Sequence, residues 1–106
     1  MIVTTTGELS GFRITEVHGL VRGNTIRARH LGRDIMAALR NVAGGEITEY
    51  TKMLGEAREQ AIDRMVEEAE ALGADAVVMT RFQTAEVMSS AAEILCYGTA
   101  VKTEAA

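Results

Sequence analysis

The sequence predicts a small α/β domain, and three features carry that prediction. Every position from 2 to 6 is β-branched (Ile2, Val3, Thr4, Thr5, Thr6), which is strand chemistry because branched side chains pack well on a pleated surface. Residues 49–72 carry a long amphipathic pattern, preceded by Gly44-Gly45 and closed by Gly73. Directly after it, Ala76-Val77-Val78-Met79 is a short continuous apolar run, as in a strand buried on both faces.

The elements follow in order. After the first strand, Gly7 and Gly11 bracket a turn. A second strand is expected over residues 12–21, with Val17, Gly19 and Val21 on one face and Ile14, Glu16, His18 and Leu20 on the other. Gly19 inside it marks a bulge or a close backbone approach. Arg22-Gly23-Asn24 reads as a turn, with strand resuming over residues 25–28. Leu31, Ile35, Ala38, Leu39 and Val42 recur on one face of a first, shorter helix. Gly44-Gly45 stops it, and Thr48 is placed to cap the next helix.

In that long second helix, counted at about 100° per residue, Tyr50, Leu54, Ala57, Ala61, Met65, Ala69 and Leu72 gather in one arc. Glu56, Glu59, Asp63, Glu67 and Glu70 form an acidic stripe opposite. Gly73 reads as the glycine just past the helix end. Residues 84–90 show no period and read as turn or loop. A last strand over residues 91–103 alternates Ile94, Cys96, Gly98 and Ala100 against Leu95, Tyr97, Thr99 and Val101. With no repeats and no proline, residues 1–106 read as a single domain.

Composition narrows the function classes. A net charge of −4 lacks the basic footprint of a nucleic-acid binder. The single cysteine, Cys96, forms no intrachain disulfide and fits a reducing compartment. No apolar run nears the ~18 residues of a membrane span, and the N-terminus lacks the basic start of a signal peptide. A cytoplasmic location, with no membrane partner, is the expectation.

Motifs spread along the chain resemble the YbjQ-like family, which bears the description "putative heavy-metal-binding". They include Thr4-Thr5-Thr6, Gly11-Phe12-Arg13-Ile14, Gly19-Leu20-Val21, Arg33-Asp34-Ile35 and Val42-Ala43-Gly44-Gly45. The series continues through Tyr50, Ala57-Arg58-Glu59, residues 72–78 and Tyr97-Gly98-Thr99-Ala100-Val101. The chain departs from the family pattern between Met79 and Ser90, where Thr80-Arg81-Phe82-Gln83-Thr84 replaces a more acidic or polar stretch. The resemblance implies a dodecin-subunit-like α+β fold, a mostly antiparallel sheet packed against one long and one shorter helix. It also implies a ring-shaped homopentamer and, through the family's description, a divalent or thiophilic metal.

The residues themselves offer few ligands for such a metal. His18, His30 and Cys96 are far apart, and no paired Cys or His spacing reads as a zinc site. Cys96 reads as a small buried hydrophobe, although ring symmetry could bring several copies to one axis. His18, beside Gly19, reads as a surface or interface histidine, and His30 sits among arginines that repel a cation.

Arg22, Arg27, Arg29, His30 and Arg33 form a basic segment without an acidic residue among these positions. It reads as a solvated strand edge that discourages pairing, as a surface steering toward a neighbour's acidic stripe, or as an anion site. Arg58 and Glu68 fall within or beside the apolar arc of the long helix, roughly 15 Å apart along the axis. Glu68 can snorkel, whereas Arg58 is expected to pair with a carboxylate or carbonyls on another element or subunit. Enzyme signatures are lacking: Gly44-Gly45 lacks the spacing of a phosphate loop, and Thr4 to Thr6 have no adjacent base. The sequence therefore points to a homo-oligomeric module for binding or assembly, with a small ligand or metal between subunits. The alternative is a small enzyme with its active site between subunits.

Overall fold

The computed structural model describes residues 1–28, 48–88 and 91–106. Their order is β1 (Ile2–Val3), β2 (Phe12–Ala28), a helix α1 (Thr48–Ala71), β3 (Ala76–Met88) and β4 (Ala91–Ala105). The strands form one mixed sheet in the order β1-β3-β4-β2. β1 runs parallel to β3, and β4 lies antiparallel to both β3 and β2. The shorter helix expected on Leu31 to Val42, with its Gly44-Gly45 stop, lies outside the described residues, as does the Thr48 side chain.

The close of α1 is the part most directly written in its residues. Gly73 adopts φ 76°, a left-handed value that glycine reaches without steric cost. Its N–H donates to Glu70 O at 2.9 Å, and Ala74 N donates to Ala69 O at 3.1 Å. These two bonds are the paired closure of a Schellman motif. Ala74 then packs against the main core, so the turn that ends the helix also anchors the chain entering β3.

The core occupies both sides of the sheet. Between helix and sheet lie Val21, Ala57, Ala61, Met65, Ala69, Val77, Ile94, Cys96 and Ala100. On the other face Ala76, Val78 and Val101 are covered by Leu9 and Ile14. Residues 76–78 are therefore buried on both faces, as the apolar run predicts. The buried positions of α1 (Met53, Ala57, Ala61, Met65 and Ala69) recur at every fourth residue. Such a row is inclined to the helix axis, so the contact line winds around the helix.

That winding corrects the placement of two charges. A straight arc averaged over the whole helix puts Arg58 near its centre and Glu68 beside it. Measured from the inclined row, both fall to the side, and both are exposed. Leu72, assigned to the same arc, is exposed for the same reason.

β2 also differs from its expected course. It runs unbroken from Phe12 to Ala28, so Arg22-Gly23-Asn24 is not a turn. Gly23 is present because α1 lies against it: a Cβ there would sit 2.5 Å from Met65 N and 2.7 Å from Arg64 Cβ. Gly19 is the expected bulge, with φ 108° and a register shift between Val17 and Gly19.

β3 continues to Met88 where loop was expected from residue 84. Residues 81–88 are exposed, so no apolar alternation marks them, and it is pairing with β4 that holds them extended. The N-terminal strand is shorter than its β-branched run, stopping at Val3. Thr4 N still donates to Val77 O at 2.9 Å, and Met79 N donates to Thr6 O at 3.0 Å.

Candidate functional site

A break in β3 sets which residues face outward beyond the covered core. Met79 has φ 54°, and the β3–β4 register shifts between Val78 and Arg81. Continuing the Val78↔Thr99 register unbroken would set Thr80 opposite Tyr97 and Arg81 opposite Cys96, on the helix side. The inserted residue reverses this, as a bulge does in a two-period strand. Thr80 turns inward, only 5% exposed, and Arg81 pairs with Tyr97 on the outer face.

Tyr97 also pairs with Arg22 on its other side. Arg22, Tyr97 and Arg81 thus form one cross-strand row on the sheet face away from α1. The neighbouring rows on that face are Leu20–Thr99–Val78 and Asn24–Leu95–Gln83, and neither carries an acid. One row further lies Glu93, which accepts from Asn24 Nδ2 at 3.0 Å.

The two arginines are held differently. Arg81 Nη1 donates to Thr5 O at 3.0 Å and to Thr80 O at 2.8 Å. Both hydrogens of that nitrogen are therefore committed to carbonyls, leaving the Nε–Nη2 edge of the guanidinium. Arg22 is exposed, and among the described residues no carboxylate pairs with either arginine.

The other residues singled out in the sequence are dispersed. Arg27 Nη2 donates to Gln60 Oε1 at 2.8 Å, tying β2 to α1. Arg58 and Glu68 stand exposed on the helix. Arg29, His30 and Arg33 lie outside the described residues. His18 Nε2 is enclosed without a hydrogen-bond partner, 3.9 Å from Glu16 Oε2. Nearby, Asp75 accepts from Thr103 N at 2.9 Å and from Lys102 Nζ at 3.4 Å. The Thr103 N–H holds the Asp75 carboxyl below its ordinary value against an opposing desolvation, with a smaller contribution from the Lys102 charge.

Cys96 is fully buried, with Sγ 3.6 Å from Met65 Sδ. Burial pushes its thiol pKa up, the opposite of what a metal ligand or nucleophile needs. The described residues contain no group of three His, Cys, Asp or Glu able to hold a metal ion. The described side chains of one chain thus do not fit the heavy-metal description. Among the described residues, no helix is long and apolar enough to cross a membrane.

Arg22 stood out in the sequence, but Arg81 and Tyr97 did not. The β3 bulge determines which side of the sheet Arg81 takes, and Met79, a non-glycine residue at positive φ, gives no sequence signal for it.

A helix on one face of a mixed sheet defines the class as α+β. The chain also matches the family model described as "putative heavy-metal-binding" over residues 1–104, and it belongs to that YbjQ-like family. It is 64% identical over 102 residues to a UPF0145 protein of Methanosarcina acetivorans, covering 96% of each chain. It is 57% identical over 104 residues to a UPF0145 protein of Thermotoga maritima, covering 98% of each. A crystal structure from Pediococcus pentosaceus, of a protein with unknown function in the DUF74 family, has a similar fold. Its TM-score is 0.65 at 19% identity, with 98% of each chain covered.

Proposed function

We propose that the chain is one subunit of a cytoplasmic homo-oligomer, a dodecin-like ring of five, that binds a small ligand. The observation that carries this reading is the number of large apolar side chains left exposed on the two faces of the sheet. Leu20 and Ile26 on β2, and Phe82, Val87 and Met88 on β3, are all exposed. Scattered single exposures are ordinary, but several large apolar groups on two strands of one sheet favour association.

Shape and edges support the same reading. The radius of gyration is 17.4 Å, against ~13 Å for a compact chain of this length. Among the described residues β2 is an edge strand, 17 residues long, a length that native proteins usually cover or interrupt. A second copy is the occupant this surface suits, because a small domain gains much of its missing burial by self-association.

Single substitutions at these positions test the reading. Ile26→Asp and Phe82→Asp should each lower the solution mass by light scattering while keeping the far-UV circular dichroism. A wild-type chain that stays at 11.4 kDa at about 50 μM would overturn the assembly reading.

A further inference from the structure

We propose that the Arg22–Tyr97–Arg81 row binds a dianionic phosphate group, either free phosphate or a phosphate monoester. This rests on the binding half of the function proposed above and not on the ring.

Charge sets the ligand class. Two guanidinium groups share one cross-strand row, and neither has a carboxylate partner among the described residues. The adjoining rows add only Leu20, Thr99, Val78, Asn24, Leu95 and Gln83, so no neighbouring acid on this face neutralises them. Two uncompensated positive charges match a dianion, which a carboxylate is not and a phosphate is.

Geometry sets the mode. The Cα atoms of Arg22 and Arg81 are two strand spacings apart, about 9.5 Å; the Thr5 carbonyl draws Arg81 to the β1 side of β3, so it is the exposed Arg22 that reaches across Tyr97 toward a shared oxyanion. Arg81 is already held, with both Nη1 hydrogens on the Thr5 and Thr80 carbonyls. Its free Nε–Nη2 edge is the planar fork that suits two phosphate oxygens. A side chain fixed before binding loses less entropy when the ligand arrives. Tyr97 lies half-buried between the arginines and supplies an aromatic surface to a ligand bearing a ring.

Isothermal titration with inorganic phosphate and with phenyl phosphate tests this on the full chain. Both should bind saturably with a dissociation constant of about 1 mM or tighter, and acetate should not. Affinity for phenyl phosphate should rise between pH 5.5 and 7.5 as this monoester loses its second proton, near pH ~6. Phenyl phosphate should bind tighter than inorganic phosphate if Tyr97 contributes its ring. Arg22→Gln should weaken both probes at least tenfold, and Arg22→Lys should recover part of that loss.

Arg22 is exposed, so the Gln variant should keep wild-type circular dichroism. No saturable binding of either probe, or binding unchanged in Arg22→Gln, would overturn the proposal. Failure of the ring would appear separately, as a monomeric mass with phosphate binding intact.

Discussion

Gly23→Ala tests the close contact between β2 and α1, and the structure allows its cost to be worked out. The added methyl would lie 2.5 Å from Met65 N and 2.7 Å from Arg64 Cβ, and would also overlap Ala61 O. Two of these three neighbours are backbone atoms of a 24-residue helix, so no single side chain can swing aside. Ordinary contact begins near 3.4 Å, so part of the helix must lift by close to an ångström. A gap of ~0.5–1 Å forfeits a quarter to a half of each affected dispersion contact, and Met65, Ala57, Ala61 and Val21 pack there.

Overpacking of this kind costs about 3 kcal/mol. Replacing glycine by alanine restricts the unfolded chain and returns under ~1 kcal/mol, so the net loss is about 2 kcal/mol. With a urea m-value of ~2 kcal/mol per molar, the unfolding midpoint should fall by about 1 M. The comparison requires fixed protein concentration, because association alters apparent stability. A midpoint equal to or above the wild type would refute the close-approach account and restore a turn-like role for Gly23.

Three further outcomes follow from buried or charged groups. Thr80→Val should raise stability by about 1 kcal/mol in urea, since Thr80 Oγ1 is buried without a partner; a lower midpoint would contradict that. Asp75 has a folded-state pKa below its ordinary 3.8, so its contribution is present above pH 3.8 and is lost as pH falls through the folded value. Asp75→Asn should therefore flatten the melting temperature against pH below pH ~4, and an unchanged acid limb would sink this reading. Cys96, buried with its thiol pKa raised, should react with a thiol reagent at least ~100-fold more slowly in the native protein than in denaturant; equal rates would place it at the surface.

Local stereochemistry made much of the fold legible in the sequence. Gly73 ends a helix because the left-handed position past a C-terminus favours glycine, and Gly19 marks the bulge it suggests. Gly23 shows the ambiguity of the same residue: between Arg22 and Asn24 it resembles a turn, yet it is there to admit a helix. The distal half of β3 was hidden because residues 81–88 face solvent and so carry no apolar period. The expected position of Arg58 failed through geometry, since a row at every fourth residue winds away from a straight arc. The candidate site was half visible: Arg22 stood out as a cation, while its neighbours Tyr97 and Arg81 depend on a bulge at Met79. Arg29, His30 and the shorter helix lie outside the described residues.

The mass of the intact wild-type protein in native mass spectrometry tests the central claim most directly. One dominant species at five times the 11.4 kDa chain mass is expected. A single 11.4 kDa species across all concentrations would contradict it, and would leave the exposed Ile26, Phe82 and Met88 without the partner this account assigns them.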